Sequence, residues 1–343
     1  MDKLFVFASR ILVAGLLMFG AQAFGAEPVR LILDTDMGND CDDALALAMI
    51  HALENRNEVK LLAVTITKDN HDAATFIDLV NQFYGRPDVP IGVVRNGKTP
   101  NDTPMLKVPV ERRDARGNFI YPRNLRDGSE APEAVALLMH ILKDQPDGSV
   151  SIAQIGFSTN LARLVATPEG RALAARKVKA LYLMAGNFQK PQPEYNVFTD
   201  APAFADLMKN WPTPMIFSGF EIGLLITYPI ESIEKDFNWA TNHPVVEAYK
   251  VYVGKREDHP NWDSTAVLDA IRPDREYFDL SAPGNVTLSD KAATVFTPDP
   301  NGKCRYLITK PDQVSRLREL IASLVSEPPQ RSAAGKVAQR LVF

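Results

Sequence analysis

Cysteine is scarce in this 343-residue chain, which contains only Cys41 and Cys304. Two cysteines cannot build the disulfide framework that stabilises many small exported proteins. A single Cys41–Cys304 bridge and two buried free thiols both remain open. Because 45% of the residues are hydrophobic and 23% are charged, the composition is that of a globular protein whose core, rather than its disulfides, stabilises the fold.

Positive charge is not in excess either. The chain has 38 Lys and Arg against 42 Asp and Glu, a formal net charge of −4, and no long basic run. A protein that binds nucleic acid through its phosphates needs a positively charged surface. The composition therefore argues against a nucleic-acid partner.

Apolar runs long enough for a membrane-spanning helix, about 20 residues, are also missing. The stretch ILVAGLLMFGA follows Lys3 and Arg10 and leads into the small residues AQA, which end at Ala23. This arrangement is typical of a secretory signal peptide, and we predict one over residues 1–26, cleaved after Ala23 or, as second choice, after Ala26. An uncleaved anchor is the alternative. We expect an exported chain, periplasmic or secreted, with no membrane contact after cleavage.

Strand-like and helix-like patterns alternate after this leader. VRLILD (29–34) and VKLLAVTI (59–66) are almost continuously apolar, as expected of strands buried on both faces. Residues 43–53, between them, carry apolar side chains at helical spacing. The repeated βαβ pattern predicts an α/β fold with an open, mainly parallel central sheet and helices on both faces. We expect a single domain over residues 27–343, in which residues 96–130 form a long surface excursion.

Negative charge is concentrated directly after the first predicted strand. Five of the ten residues from Asp34 to Asp43 are aspartates. Because ligands of open α/β sheets bind outside the carboxyl ends of the strands, this is the position of a site. Hard oxygen ligands at this density suit Ca²⁺ or Mg²⁺, whose charge would offset the repulsion. The thiol of Cys41 is a poor ligand for such ions and fits better as packing.

Other interpretations of the aspartates exist. The first is a solvated acidic loop in which Asp42 caps the next helix and contributes about 1 kcal/mol of stability. This interpretation accounts for one aspartate, but not for five. A calcium-binding EF-hand loop fails on spacing, because Asn39 stands where glycine is required and Leu45 where glutamate is required. The Asp34-Thr35-Asp36 triplet also fits a Mg²⁺-dependent phosphotransferase or phosphatase of the haloacid dehalogenase type, with Asp34 as nucleophile.

The segment DTDMGNDCDDALAL (34–47) resembles the N-terminal signature of the inosine-uridine-preferring nucleoside hydrolase family. Two extra residues separate Gly38 from Asp42, a form seen in a divergent, exported branch of the family. Three later stretches resemble further family segments in the family's order: AQIGFSTNLARL (153–164), LMAGNFQKPQPEYNVFTDAPAF (183–204) and NWDSTAVLDA (261–270). The resemblance covers about residues 29–271, which is most of the chain.

This resemblance implies calcium-dependent hydrolysis of the N-glycosidic bond of ribonucleosides, giving free base and ribose. It makes Asp36, Asp43, the backbone carbonyl of Ile155 and Asp263 the ligands of Ca²⁺. The reaction passes through an oxocarbenium-like sugar, and water must be delivered to its anomeric carbon. Asp36 would therefore also be the general base that activates a metal-bound water.

Further matching positions are expected to bind the sugar. Asp42 would accept a hydrogen bond from a ribose hydroxyl. Amides and a carboxylate offer the mixed donors and acceptors that hydroxyls require, at Asn70, Asn187, Glu194 and Asn196. Turn formation is the alternative for Asn70 and Asn187. Function is favoured for Glu194 and Asn196, since alternate residues of an extended segment point the same way.

Trp262 departs from the family pattern at the position before Asp263. Much of the family has a histidine there, proposed as the acid that protonates the leaving base, and tryptophan has no titratable proton to donate. Our hypothesis is that the indole binds substrate by stacking on the base, which raises the basicity of a ring nitrogen. Core packing is the alternative. His71 and His259 are the histidines that remain candidates for a proton donor.

The sequence thus predicts a ribonucleoside hydrolase that acts on small-molecule nucleosides in purine or pyrimidine salvage, with the preferred base undefined. An exported nucleoside- or ribose-binding protein without turnover is the competing hypothesis, although a pure binder does not need a water-activating base. The resemblance also implies a homodimer or homotetramer.

Overall fold

The computed structural model describes residues 27–100 and 103–330. The predicted signal peptide, residues 1–26, lies outside these ranges. A helix with the length and apolarity needed to cross a bilayer is absent from the part of the chain that the model describes.

The strands follow the apolar runs of the sequence, and the first two extend slightly beyond the predicted ends. They are β1 (Val29–Thr35), β2 (Val59–Lys68), β3 (Ile91–Lys98), β4 (Val150–Gln154), β5 (Val178–Met184), β6 (Met215–Ser218), β7 (Thr227–Tyr228), β8 (His259–Pro260), β9 (Phe278–Leu280), β10 (Gly284–Leu288), β11 (Thr294–Pro298) and β12 (Cys304–Thr309).

Helices occupy most of the connections between these strands. They are α1 (Asp42–Asn55), α2 (Ala73–Phe83), α3 (Lys107–Glu111), α4 (Ala134–Lys143), α5 (Thr159–Ala166), α6 (Pro168–Lys177), α7 (Tyr195–Thr199), α8 (Ala201–Asn210), α9 (Phe220–Leu225), α10 (Ile230–Lys235), α11 (Pro244–Val253), α12 (Asp263–Ile271) and α13 (Val314–Val325).

A ten-stranded sheet runs through the molecule in the order β11-β10-β12-β6-β5-β4-β1-β2-β3, with β9 beside β12. Strands β1 to β6 and β12 pair in parallel. The alternating side chains of β1 enter two separate cores: Leu31 and Leu33 pack with α1 and α12, whereas Ile32 packs with α4 and α5. Helices therefore cover both faces, and the predicted mainly parallel α/β sheet is confirmed.

The site position follows from the strand order. From β1 the chain moves outward through β2 and β3, then returns to place β4 on the other side of β1 and continues through β5 to β6. The carboxyl ends of β1 and β4 therefore flank the point where the winding direction reverses, which is where open α/β sheets bind ligands. Asp36 follows β1 and Ile155 follows β4, so both lie at this crevice.

Two sequence expectations need correction. The segment 96–130 is not wholly a surface excursion, because its described part contains α3 and buries Met105, Leu106 and Tyr121 in the core. The small antiparallel group β9, β10 and β11 was not anticipated, since its strands are short and partly exposed.

The two cysteines are buried free thiols. Cys41 belongs to the core on one face of the sheet and Cys304 to the core on the other. The two faces separate the thiols, so the Cys41–Cys304 bridge is not formed.

Candidate active site

A cavity of about 410 Å³ opens at the crevice beside β1 and β4. One part of its wall is acidic and another is aromatic, which suits a ligand that has both hydroxyl groups and a flat ring. Seven of the ten predicted site residues line it. The lining consists of Asp36, Asn39, Asp40, Asp42, Ile155, Met184, Glu194, Tyr195, Asn196, Phe220, Tyr252, Trp262 and Asp263.

Four carboxylates meet at one side of this cavity, and of these Asp40, Asp42 and Asp263 line it whereas Asp43 does not. Each of Asp40, Asp42, Asp43 and Asp263 offers one oxygen, and the four oxygens lie within 4.8 Å of one another. Asp42 and Asp43 begin α1, and Asp263 begins α12. The positive ends of two helix dipoles therefore stabilise the negative charge. Their partial charges offset only a small part of the charge of four carboxylates.

Hydrogen bonds fix the orientation of these side chains and leave part of their capacity unused. Asp42 Oδ2 accepts from the backbone N–H groups of Trp262 and Asp263, at 2.8 and 3.1 Å. Asp43 Oδ1 accepts from the hydroxyl of Thr35. Within the described residues, Asp36 Oδ2, Asp42 Oδ1 and Asp43 Oδ2 are buried and have no hydrogen-bond partner. Unpartnered buried carboxylate oxygens are the donor set that a hard divalent cation requires, so these residues fit such an ion.

The pKa values in this cluster are strongly perturbed. Burial, and then the charges of neighbouring aspartates, raise the pKa of Asp40, Asp43 and Asp263 well above the ordinary range. Burial and the charge of Asp42 raise the pKa of Asp36 to about 8, although Lys68 acts in the opposite direction. A cation bound here would relieve both the burial penalty and the repulsion.

Asp36 sits in a tightly built loop. Gly156, which follows Ile155, packs directly against it, because a Cβ at Gly156 would lie 2.4 Å from the backbone nitrogen of Asp36. Gly38 adopts a φ of +104°, which favours glycine, and its carbonyl accepts from the Lys68 ammonium at 3.2 Å. The backbone therefore holds Asp36 against the end of β4.

Glu194 and Asn196 lie at the cavity, but not in the extended segment that we assumed. Glu194 caps α7: its carboxylate accepts from the backbone N–H groups of Asn196, Val197 and Gly186 at 2.9, 3.2 and 2.9 Å. Burial raises the pKa of Glu194 to about 7 against the opposing effect of these bonds. Asn196 Nδ2 donates to the carbonyl of Ile155 at 2.9 Å. Asn196 thus contacts the Ile155 carbonyl directly, and Glu194 orders the start of the helix that carries Asn196.

Asn70 and Asn187 are not among the described residues that line the cavity. Asn187 Oδ1 accepts from the backbone N–H of Lys190 at 2.9 Å. Asn70 Oδ1 accepts from the N–H groups of Asp72 and Ala73 at 2.8 and 3.1 Å. These are the turn-forming contacts given as the alternative, and a role in sugar binding stays a prediction for both.

Trp262 forms part of the aromatic wall. Its ring stacks on Phe220 with centroids 5.5 Å apart and an interplanar angle of 19°, and its Nε1 donates to the Phe220 carbonyl at 2.9 Å. Gly223 allows this arrangement, because a Cβ there would lie 2.0 Å from Trp262 Cδ1. Trp262 remains partly exposed to the cavity. The Trp262 side chain is therefore placed both to pack on Phe220 and to contact a ligand in the cavity.

The two candidate histidines are placed differently. His71 is exposed and its Nδ1 lies 3.2 Å from an Asp72 carboxylate oxygen. His259 is half-buried and meets Trp262 edge-on at 6.0 Å, and burial lowers its pKa. Neither is among the described residues that line the cavity.

Sequence reasoning assigned no role to Asp40, Phe220 or Tyr252. Asp40 lies inside the aspartate segment, but in the two residues that the family pattern does not contain. Tyr252 comes from α11 and Phe220 from α9. The local sequence of these helices does not predict that the two side chains reach the cavity. Tyr195, the first residue of α7, also lines the cavity.

Asp34 is unsuited to the nucleophile role of the phosphotransferase hypothesis. It is fully buried, and its Oδ1 accepts from Thr65 Oγ1 at 2.6 Å and from Asn160 Nδ2 at 2.9 Å. Burial raises its pKa to about 7. A group that joins β1 to β2 and α5 in this way has no access to substrate, so this alternative is not favoured.

Comparison with known proteins decides the family. The family model of the inosine-uridine preferring nucleoside hydrolases matches residues 31–315. The chain belongs to this family. It is therefore a hydrolase of ribonucleosides, and the cavity lies where the four sequence stretches that resemble the family meet in this fold.

Individual relatives are distant. The chain is 26% identical over 273 residues to an uncharacterised protein of Schizosaccharomyces pombe, a match covering 72% of this chain and 81% of the relative. It is 26% identical over 204 residues to the inosine-uridine preferring nucleoside hydrolase of Leishmania major, covering 55% and 60% of the two chains.

Solved structures agree on the fold. A plant nucleoside hydrolase superposes with a TM-score of 0.65 at 21% identity, over 89% of this chain and all of the other. The purine-preferring ribonucleoside hydrolase of Gardnerella vaginalis gives a TM-score of 0.66 at 16% identity, over 87% of this chain and 98% of the other. At these identities the likeness establishes the fold alone.

Proposed function

We propose that the chain hydrolyses the N-glycosidic bond of ribonucleosides in a calcium-dependent reaction in which Asp36 is the general base. The observation that carries this proposal is the combination, in one cavity, of buried carboxylate oxygens without partners and an adjoining aromatic wall. The first suits a cation and a sugar, and the second suits a planar base.

The cation would be held by Asp36, Asp43, the carbonyl of Ile155 and Asp263. When bound, Ca²⁺ supplies positive charge that lowers the pKa of a water molecule and binds ribose hydroxyls. The position of Ile155 supports this set, because Asn196 and Gly156 order the backbone on either side of its carbonyl.

Asp36 is suited to accept a proton from water. It lines the cavity, is 3% exposed, and one of its oxygens has no partner among the described residues. Asp42, whose Oδ1 is equally unpartnered, is suited to accept a hydrogen bond from a ribose hydroxyl. Backbone N–H groups hold the Asp42 side chain and Gly156 packs against Asp36, so little reorganisation is needed to orient the reacting carbon.

The leaving base is proposed to stack in the aromatic wall formed by Trp262, Phe220, Tyr195 and Tyr252. Stacking on an indole is tolerant of the base, because every nucleobase has a π-face. The relatives differ by name in their preference, for example inosine and uridine in Leishmania major and purines in Gardnerella vaginalis. Both purine and pyrimidine nucleosides are therefore candidate substrates.

Three further predictions remain proposals. Residues 1–26 direct export to the periplasm or the medium, where nucleoside scavenging would supply salvage. Residues 27–343 form one domain. The mature chain assembles as a homodimer or homotetramer.

Product analysis tests the proposed reaction. Incubation with inosine and uridine should release free base and ribose in equal amounts, and incubation with a nucleoside monophosphate should release no inorganic phosphate. Nucleoside binding in calorimetry with no release of ribose would instead identify a binding protein. Release of phosphate would support the phosphotransferase hypothesis.

A further inference from the structure

Asp40 lies in the acidic cluster although the family pattern has no residue for it. Asn39, Asp40 and Cys41 separate Gly38 from the Asp42-Asp43 pair, two residues more than in the family pattern, and any insertion of two consecutive residues here includes Asp40. Cys41 is fully buried in the core, whereas Asp40 is directed to the opposite side, into the cavity. The insertion therefore adds one carboxylate to the site.

Its carboxylate is in ligand position rather than merely nearby. One oxygen of Asp40 lies within 4.8 Å of oxygens from Asp42, Asp43 and Asp263. Asp36 is not one of these four, although it lines the same cavity.

A second observation points to a ligand at this place. Asp42 Oδ1 and Asp43 Oδ2 are unpartnered among the described residues, and the two side chains are 1% and 0% exposed. Lys68 acts electrostatically on Asp36 and Asp43, but it is not among the described residues that line the cavity with the cluster. Buried oxygens of this kind call for a cation, and the fourth carboxylate increases the negative charge that it would meet.

We propose that Asp40 is an additional carboxylate ligand of the cation, supplied by the two-residue insertion, and that it strengthens divalent-cation binding. The inference rests on the proposed cation site but not on hydrolysis. It extends the ligand set from three carboxylates to four, and charge count is one of the means by which calcium sites set their affinity.

Calcium binding to protein stripped with a chelator tests the assignment. We expect Asp40→Asn to raise the calorimetric Kd for Ca²⁺ at least about tenfold, the lower end of the effect of disturbing a metal's surroundings. Asp88→Asn is the matched control, because it removes the same charge from an exposed loop. This loop precedes β3 and lies at the amino ends of the parallel strands, away from the cavity at their carboxyl ends. The Kd of this control should equal that of the wild type. Terbium(III) emission excited through Trp262, which lines the same cavity, reports binding at this site directly.

Thermal unfolding separates a ligand from a structural carboxylate. In chelator, Asp40→Asn should melt at or above the wild-type temperature, because one repelling charge is gone, and Ca²⁺ should raise its melting temperature less than that of the wild type. Equal Ca²⁺ affinity in Asp40→Asn and wild type would overturn the inference, as would a variant already destabilised in chelator. Absence of Ca²⁺ binding by the wild type would instead overturn the cation site itself.

Discussion

Asp36 combines a buried position with the need to lose a proton. Burial and Asp42 raise its pKa to about 8 when no cation is present, and a nearby cation shifts that pKa back down. In the proposed reaction the residue accepts a proton from water, so cation and base depend on each other. The four-carboxylate cluster beside Asp36 is the physical basis of that dependence.

Replacing Asp36 tests its role as base. Asp36→Asn keeps the shape of the side chain but cannot accept the proton, and loss of a positioned base costs about 10²- to 10⁴-fold in turnover. At saturating Ca²⁺, to which the Asn side chain still offers an oxygen, we expect kcat for ribose release to fall in this range while nucleoside binding, measured by calorimetry, is retained. A kcat within threefold of the wild type would remove Asp36 from the mechanism.

Replacing Trp262 separates stacking from packing. If the indole stacks on the base, Trp262→Ala should reduce kcat/KM for purine nucleosides far more than it weakens the binding of ribose. Trp262→Phe, which keeps an aromatic face beside Phe220, should recover part of the activity. Equal losses for the nucleosides and for ribose would assign the side chain to packing alone, as its stacking on Phe220 also permits.

At the scale of elements, Asp34 joins three of them. Its Oδ1 accepts hydrogen bonds from Thr65 on β2 and Asn160 on α5. Burial raises its folded-state pKa from 3.8 to about 7. A raised folded-state pKa means that its contribution to stability is fully present below about pH 4 and is lost as the pH rises through about 7.

This linkage predicts a pH-dependent effect of Asp34→Asn. Relative to the wild type, the variant should gain up to about 3 kcal/mol of unfolding free energy between pH 5 and pH 8, because it has no proton to lose. Urea unfolding of both proteins in chelator measures the difference. Hydrolysis should persist in the variant. A constant difference across this pH range would contradict the raised pKa, and complete loss of activity in a folded variant would return Asp34 to the reaction.

The same elements show what the sequence could predict. The apolar runs of β1 and β2 and the helical spacing of α1 were sufficient for the parallel sheet, because burial on both faces leaves a strong local pattern. The strands β9 to β11 left none, because they span only three to five residues and most of their side chains are exposed or only partly buried. The helix α7 was misread as extended because its cap, Glu194, is recognised only through its contacts.

The candidate site was partly predictable for a different reason. Asp36, Asp42 and Asp263 could be named because they lie in motifs of the family. Phe220 and Tyr252 could not, since their place depends on how α9 and α11 pack rather than on local sequence. Asp40 was overlooked because the family pattern has no equivalent position.

In the molecule as a whole, cation binding, sugar binding and base stacking are proposed to share a single crevice between β1 and β4. Stability should therefore respond to the cation as activity does. A ligand that binds only the folded state stabilises it by mass action, so Ca²⁺ should raise the melting temperature of the chelated protein.

Ribose release by the protein without residues 1–26, across purine and pyrimidine nucleosides, first in chelator and then with excess Ca²⁺, is the most direct test. We expect almost no ribose release in chelator and recovery of release with Ca²⁺. The rates with different nucleosides then show which base is preferred. Release that is unchanged by chelation, in protein shown to be free of metal, would contradict the proposed calcium dependence.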